Sequence, residues 1–188
     1  IPIRSDLKDG NIDRGINICG LTPQKNKPII LIMGGSQGAT NINNFVIKNI
    51  ALLTKSYQII HITGKNKKTS VTSDNYWQTE FAHEELKHLL AISQCTICRA
   101  GANTIFELLE LKQPMVLIPL EAGSRGDQIL NAKSFLKSKY ANVIKEKDLS
   151  FKLLNNSIKK SMSFYLDKKT NKKEASELII DILNSHYK

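Results

Sequence analysis

The stretch IILIMGGSQGATNINNF, at residues 29–45, decides the fold because it joins a strand pattern to a helix pattern through a glycine turn. Its apolar run ends at Met33 and three glycines follow within five positions, which is typical of a central strand in a parallel sheet. After the glycines, apolar residues recur with helical spacing, while Asn41, Asn43 and Asn44 take the polar positions. The stretch therefore predicts a strand, a tight turn and a helix.

A glycine turn that opens a helix is a common site for anions. Glycine lets the backbone approach a ligand closely, and the free amides and positive dipole end of the helix attract negative charge. Ser36 adds a hydroxyl donor. The turn fits neither G-x-G-x-x-G, which needs glycine at position 36, nor the P-loop, which needs Lys before Ser or Thr. A plain tight turn fits the same letters, so the turn alone leaves both readings open.

Length and charge set wide bounds on function. With 188 residues and 41% hydrophobic content, the chain can bury one domain with short appendages. Lys and Arg exceed Asp and Glu by 27 to 17, which favours a phosphorylated substrate or an anionic membrane surface, although a solvated lysine-rich face fits equally. No reading helix, zinc-finger spacing or aromatic ladder indicates nucleic acid. No apolar stretch approaches the ~20 residues of a membrane span, and nothing indicates secretion.

The three cysteines predict buried thiols. Cys95 and Cys98 form a C-x-x-C pattern, but they lie in an apolar strand pattern where residues three apart point to opposite faces. No second Cys/His pair completes a zinc site. We therefore expect buried side chains and no metal site.

The rest of the chain repeats the alternation of strand and helix, which predicts an α/β fold with a doubly wound parallel sheet of about six strands. The predicted strands are at residues 29–33, 57–63, 75–81, 95–98, 114–120 and 140–144. Besides the helix after Gly38, the predicted helices are at residues 83–93, 103–111 and 126–139, from a cap at Asp148 or Ser150 through Ile158, and at 172–184.

Ligands of such sheets bind beyond the carboxyl ends of the strands, where four loops gather. These loops are at residues 34–39, 79–84, 99–104 and 119–128. Glu107 lies about one turn inside the helix that follows the third loop, where it can accept hydrogen bonds from a ribose or simply face solvent. Asp127, Gln128 and Asn131 lie near the start of another helix and can bind sugar hydroxyls.

Five of these motifs resemble, in order and spacing, the C-terminal domain of the MurG family of bacterial N-acetylglucosamine transferases. They are GGSQGA, TEF, RAGANTIFELL, PMVLIPL and RGDQILNA. IPIR at the start is similar to the segment that leads out of the family's first domain, and the likeness extends to about residue 145.

The resemblance implies the donor-binding half of a GT-B glycosyltransferase, an enzyme of two Rossmann-like domains with the active cleft between them. The full-length enzyme moves GlcNAc from UDP-GlcNAc, with inversion and without metal or cofactor, to the C4 hydroxyl of MurNAc in undecaprenyl-pyrophosphoryl-MurNAc-pentapeptide. That step converts lipid I to lipid II in peptidoglycan synthesis, and the enzyme is cytoplasmic and peripheral on the inner face of the cell membrane. The acceptor and the catalytic base belong to the family's N-terminal domain. We therefore expect no catalytic residue in this chain and no transfer by the chain alone.

The same resemblance implies a role for each site residue. The pyrophosphate would lie at Gly35 and Ser36, the uracil near Phe81 and Ala82, and the ribose at Glu107. Backbone of the second helix start would bind the phosphates, through Ala102, Asn103, Thr104 and Ile105. Gln128, with Asp127 and Asn131, would contact the sugar, and Arg4 matches an arginine of the family's linker that approaches the nucleotide. Asp127 stands where some relatives carry an amide.

The predicted domain organisation has three parts: an interdomain linker and lead-in at residues 1–28, the UDP-sugar-binding domain at 29–165, and a C-terminal helix at 166–188 that packs on the N-terminal domain. The sequence starts without Met, so we expect a piece of a longer protein. Two alternatives stay open. One is a separate donor-binding subunit of a two-chain GT-B enzyme. The other is a dinucleotide-binding oxidoreductase domain. It is disfavoured because this sequence has no glycine at the third position of the motif and no acidic residue at the end of the second strand.

Overall fold

The computed structural model describes residues 4–35, 39–121, 126–138 and 140–168. Its strands are β1 (Ile29–Met33), β2 (Gln58–Ile62), β3 (Tyr76–Thr79), β4 (Cys95–Cys98), β5 (Met115–Leu117) and β6 (Ala141–Val143). They form one sheet in the order β3-β2-β1-β4-β5-β6, with β1 parallel to β2 and β4, β2 parallel to β3, and β5 parallel to β6. This order is that of the doubly wound dinucleotide-binding folds, and the predicted fold class is confirmed.

Helices follow β1, β3, β4, β5 and β6, as the sequence predicts. The helices are α1 (Ile12–Cys19), α2 (Thr40–Lys48), α3 (Ile50–Ser56), α4 (Leu86–Ile92), α5 (Ala102–Glu110), α6 (Asp127–Lys137) and α7 (Phe151–Lys168). Of these, α1 and the separate α3 were not predicted. Two short 3-10 helices, Ser5–Asp9 and Glu146–Asp148, complete the described elements. No helix of the described residues is both long and apolar enough to cross a membrane.

The chain divides into two compact units, of which one comprises Arg4–Cys98. Its β1 has four fully buried residues, because β2 and β4 pair with it on either side. The chain packs closely against α4 at two glycines, Gly10 before α1 and Gly15 within it. A Cβ on Gly10 would lie 2.3 Å from the Lys87 carbonyl oxygen, and one on Gly15 would lie 2.5 Å from that of His88. The segment predicted as a lead-in is therefore folded against α4.

The second unit begins at Arg99 and contains α5, β5, α6, β6 and α7. A buried polar connection joins α7 to both strands: Asn142 Nδ2 donates to Ser161 Oγ at 2.8 Å, and Ser161 Oγ donates to the Met115 carbonyl at 2.9 Å. Leu154 and Ile158 fill the apolar side of α7. These contacts hold α7 against the start of β5 and the middle of β6.

The structure corrects three details of the sequence prediction. Asn43 is not on a solvent-facing position but buried, because its side chain binds groups of β2. The helix that was predicted to end at Ile158 continues to Lys168, and it is Ser150 that accepts the amide hydrogen of Leu153 at its start. The helix predicted after Gly38 ends at Lys48, and a separate helix begins at Ile50 after Asn49, whose Nδ2 donates to the Phe45 carbonyl. The helix predicted at residues 172–184 lies outside the described residues.

The prediction of buried thiols is confirmed. Cys19, Cys95 and Cys98 are all free and buried. Both residues of the C-x-x-C pattern are buried although they point to opposite faces, because β4 is an inner strand of the sheet. Burial raises the pKa of the Cys98 thiol to about 12 and also raises that of Cys95. Among the described residues, no three His, Cys, Asp or Glu side chains form a group that could hold a metal ion.

Candidate functional site

The turn after β1 brings the strand end against the start of α2. A Cβ on Gly34 would lie 2.2 Å from the Ala39 amide nitrogen, so only glycine fits there. Gly35 adopts a left-handed φ of 85°, which also favours glycine. Ala39 is the N-cap of α2 and offers no side chain to its first amides. No N-cap side chain therefore neutralises the positive end of this helix.

The turn after β3 carries an exposed aromatic side chain. Phe81 is 40% exposed and stacks on His83, with ring centroids 5.9 Å apart and planes 13° from parallel. Thr79 Oγ1 donates to the Phe81 carbonyl at 3.0 Å, which fixes the turn. A flat surface of this kind suits the face of a nucleobase.

Arg4 lies beside the same turn. Its guanidinium donates to both carboxylate oxygens of Asp6, at 3.3 and 2.9 Å, and Nη2 lies 3.5 Å from the His83 carbonyl. The hydrogen bond from Arg4 lowers the pKa of the Asp6 carboxyl. The predicted residues Arg4 and Phe81 thus approach one turn within the first unit.

A second uncapped helix start lies in the other unit, at α5. Its N-cap is Gly101, in extended conformation, and no side chain caps the helix. The Ile105 amide donates to the Gly101 carbonyl at 3.0 Å and is the first intrahelical donor, so the amides of Ala102, Asn103 and Thr104 precede it at the helix start. Glu107 follows on α5 and is half-buried. This helix start supplies amide donors and a positive dipole end.

Three side chains hold the loops around the α5 start. Arg99 Nη1 donates to the Ile118 carbonyl at 3.1 Å, and its Nη2 forms a short ion pair with Glu146. Asn131 Nδ2 donates to the Ala100 carbonyl at 3.1 Å, and Gln128 Oε1 accepts the Leu120 amide hydrogen at 2.9 Å. The start of α6 is thereby connected to the loop after β4 and to the loop after β5.

The sequence of the chain has a counterpart among known protein families. The family model of the glycosyltransferase family 28 C-terminal domain matches residues 29–184. The chain belongs to this family.

The named relatives of this family 28 domain support the predicted resemblance. The chain is 43% identical over 194 residues to the UDP-N-acetylglucosamine--N-acetylmuramyl-(pentapeptide) pyrophosphoryl-undecaprenol N-acetylglucosamine transferase of Clostridium tetani. This alignment covers 99% of this chain and 54% of the relative. It is 50% identical over 162 residues to the protein of the same name from Clostridium kluyveri, covering 85% of this chain and 45% of the relative. The chain spans about half the length of these relatives.

A solved structure shares the fold of the family 28 domain. The crystal structure of Acinetobacter baumannii MurG aligns with a TM-score of 0.62 and 22% identity, over 88% of this chain and 54% of that chain. The shared fold agrees with the GT-B half that the sequence predicts.

The roles predicted for the site residues stay predictions, and the structure shows what some of their side chains contact within the chain. Gln128 and Asn131, predicted to contact a sugar, also bind backbone groups of neighbouring loops. Asp127 is the exposed first residue of α6. Ser36 lies outside the described residues.

Arg99 is the site residue that sequence reasoning missed. It stands within the RAGANT motif, but its partners at Ile118 and Glu146 follow 19 and 47 residues later. The available signal was an arginine placed directly after a buried strand. A charged side chain at that position needs a partner, and the sequence does not show which one.

Proposed function

We propose that this chain is the donor-binding domain of an inverting N-acetylglucosaminyltransferase. The longer protein would transfer GlcNAc from UDP-GlcNAc to the C4 hydroxyl of MurNAc in undecaprenyl-pyrophosphoryl-MurNAc-pentapeptide. Membership of family 28 and the names of the relatives support this reaction. Within the chain, the proposal rests on the start of α5, which no side chain caps and which has Glu107 on the same helix. Arg99, Asn131 and Gln128 hold the loops around this helix start.

The chemistry follows from where charge develops. When the C1–O bond of the donor sugar breaks, negative charge builds on the β-phosphate of the departing UDP. Amides at a helix start that are already oriented stabilise such charge without reorganisation. We assign this role to the α5 start and to the turn after β1, with Gly35 and Ser36 on the diphosphate. The acceptor hydroxyl and the base that deprotonates it would be supplied by an N-terminal domain.

The remaining residues would recognise the donor. Glu107 would accept hydrogen bonds from the ribose, Phe81 and Ala82 would adjoin the uracil, and Gln128 would contact the sugar. Arg4 would approach the nucleotide from the turn at His83. The excess of basic over acidic residues, 27 to 17, suits a peripheral position on the anionic inner face of the membrane, where the lipid acceptor resides.

Titration calorimetry with UDP-GlcNAc, UDP-GalNAc, UDP-glucose and NAD tests the proposal. We expect the 188-residue chain to bind UDP-GlcNAc and UDP and to bind NAD more weakly. Glu107→Ala should weaken UDP binding by about 1–3 kcal/mol, since hydrogen bonds to a charged group are lost. Glu110→Ala, on the same helix, is the matched control and should retain affinity. A folded chain that binds NAD but no uridine nucleotide would refute the proposal.

A further inference from the structure

A buried hydrogen-bond relay passes through His61 in the middle of β2. His61 is fully buried, and its Nε2 lies 3.0 Å from Asn43 Oδ1 while its Nδ1 lies 3.0 Å from the Tyr76 hydroxyl. Asn43 Nδ2 donates to the Thr63 carbonyl at 2.8 Å, which turns the amide oxygen toward the imidazole. Because an amide oxygen only accepts, Nε2 of His61 carries the hydrogen, and Nδ1 accepts from Tyr76.

The first end of the relay reaches the start of α2. Asn43 is the fourth residue of this helix, and its amide donates to the carbonyl of the N-cap Ala39 at 2.8 Å. Ala39 is the residue against which Gly34 packs. The side chain of Asn43 therefore fixes the first turn of α2, and with it the direction in which the first amides of the helix point.

The Asn43 side chain also connects the relay, through the Thr63 carbonyl, to the turn at Phe81. Thr63 donates to the Thr79 carbonyl from its amide at 2.9 Å and from its hydroxyl at 3.2 Å. Thr79 in turn donates from its hydroxyl to the Phe81 carbonyl at 3.0 Å. Thr63, whose carbonyl accepts the hydrogen bond from Asn43, thus also supports the turn that carries Phe81.

Core packing alone does not require a chain of hydrogen-bonded polar side chains such as this relay. Buried polar groups cost free energy unless every one is paired, and an apolar side chain of similar size fills the same space without that requirement. Here the pairing is complete, since the described residues contain no buried side-chain nitrogen or oxygen without a partner. Burial also lowers the pKa of His61 to about 4, so the imidazole stays neutral near pH 7. What the relay adds is orientation of two loops.

We propose that His61, in its Nε2–H tautomer, is a positioning residue that sets the first turn of α2 for the diphosphate of the donor. The inference rests on the proposed function, because it assigns the diphosphate to the turn after β1. His61 touches no ligand itself and acts through Asn43. Its loss should therefore weaken binding of the diphosphate more than binding of the nucleoside.

The test compares UDP with uridine in NMR titrations of the 188-residue chain and of His61→Leu. We expect His61→Leu to lose about tenfold in UDP affinity while uridine affinity changes less than about twofold. His61→Gln keeps a donor near the position of Nε2 and should restore most of the UDP affinity. Tyr76→Phe removes only the hydroxyl and should shift UDP affinity in the same direction, which keeps the test valid if His61→Leu does not fold.

Gln58→Leu is the matched control. Gln58 lies on the same strand, is equally buried and donates to the Thr22 and Lys27 carbonyls at the opposite end of β2. It should lose thermal stability without a change in UDP affinity. A nitrogen-15 spectrum of the folded chain should show the hydrogen of His61 on Nε2, and a hydrogen on Nδ1 alone would overturn the assignment.

The outcomes separate the two proposals. If the unaltered chain binds no UDP, the proposed function fails. If it binds UDP and His61→Leu binds UDP equally well, the function stands and the positioning role is refuted. An equal loss of UDP and uridine affinity would show a general structural role and would also refute it.

Discussion

Gln128 Oε1 accepts the amide hydrogen of Leu120 at 2.9 Å, so the first turn of α6 holds the start of the loop after β5. The side chain that the sequence assigns to sugar recognition is thus also part of the framework of its own loop. Since its oxygen is engaged, we expect the two hydrogens of Nε2 to face oxygen atoms of the donor sugar. A single amide would then serve both the loop and the ligand.

Gln128→Glu separates these two roles. Glutamate keeps an acceptor for the Leu120 amide but has no Nε2 donors and brings a negative charge close to the diphosphate. We expect the free energy of unfolding to change by less than about 1 kcal/mol, whereas UDP-GlcNAc affinity falls by about tenfold or more. Urea unfolding and calorimetry measure the two quantities.

The control is Leu130→Glu, which adds the same charge to an exposed position of the same helix. It should leave UDP-GlcNAc affinity nearly unchanged. If Gln128→Glu binds the donor as well as the unaltered chain does, Gln128 does not contact it.

Arg99→Met should destabilise the chain by about 3 kcal/mol. The ion pair with Glu146 is mostly buried, with side-chain exposures of 11% and 18%, and removing one partner leaves the other charge poorly compensated. The variant also loses the hydrogen bond to the Ile118 carbonyl. Unfolding in urea measures the loss.

The double variant Arg99→Met, Glu146→Met completes a mutant cycle. Because the uncompensated charge is then absent, we expect it to be more stable than Arg99→Met alone. Additive losses would show that the two side chains do not interact appreciably.

The inner strands were predictable because burial on both faces favours a nearly continuous apolar run. The bounds of β1 and β4 agree with the sequence prediction, and β2 differs only at its ends. The helix starts followed from glycine and small residues. These signals are local, which is why a single sequence carries them.

The polar contacts were not predictable for the opposite reason. The sequence predicts Asn43 as a surface residue, and its side chain can be buried because His61 and Thr63 lie beside it as hydrogen-bond partners. Arg99 likewise depends on Glu146, 47 residues further along the chain. Polar partners of this kind are set by the packing of elements distant in sequence.

Gly15→Ala should destabilise the chain although alanine is the better helix former. Alanine gains about 1 kcal/mol in helix propensity, but its Cβ would lie 2.5 Å from the His88 carbonyl oxygen and 2.9 Å from Ile92 Cγ2. Overpacking typically costs about 1–3 kcal/mol, so after the gain in propensity we expect a net loss of about 1 kcal/mol and at most about 2 kcal/mol.

Asn17→Ala is the control, because Asn17 is exposed on the same helix. It should raise the free energy of unfolding by a few tenths of a kcal/mol, to about 0.6 at most. Stabilisation by Gly15→Ala would contradict the close packing of α1 on α4.

The thiols should react slowly in the folded chain. Burial raises the pKa of all three, and Cys95 and Cys98 lie almost fully out of contact with solvent. A thiol reagent at pH 8 should therefore modify Cys19 first and slowly, and all three should react at once in denaturant. Rapid modification of Cys95 or Cys98 in the folded chain, located by mass spectrometry, would contradict their burial.

Acid should destabilise the chain through His61. Its pKa is about 4 in the folded chain and 6.5 as the ordinary value, so between these limits the unfolded state binds a proton that the folded state does not. Stability is then complete above about pH 6.5 and is lost as the pH falls toward 4. A shift of this size corresponds to about 3 kcal/mol between pH 7 and pH 4.

His61→Gln lacks this titration while sharing every other acidic and basic group, so the difference in unfolding free energy between the two chains should shrink by about that amount on acidification. A difference that stays constant from pH 7 to pH 4 would show that His61 titrates alike in both states, and hence that the imidazole is not held neutral between Asn43 and Tyr76.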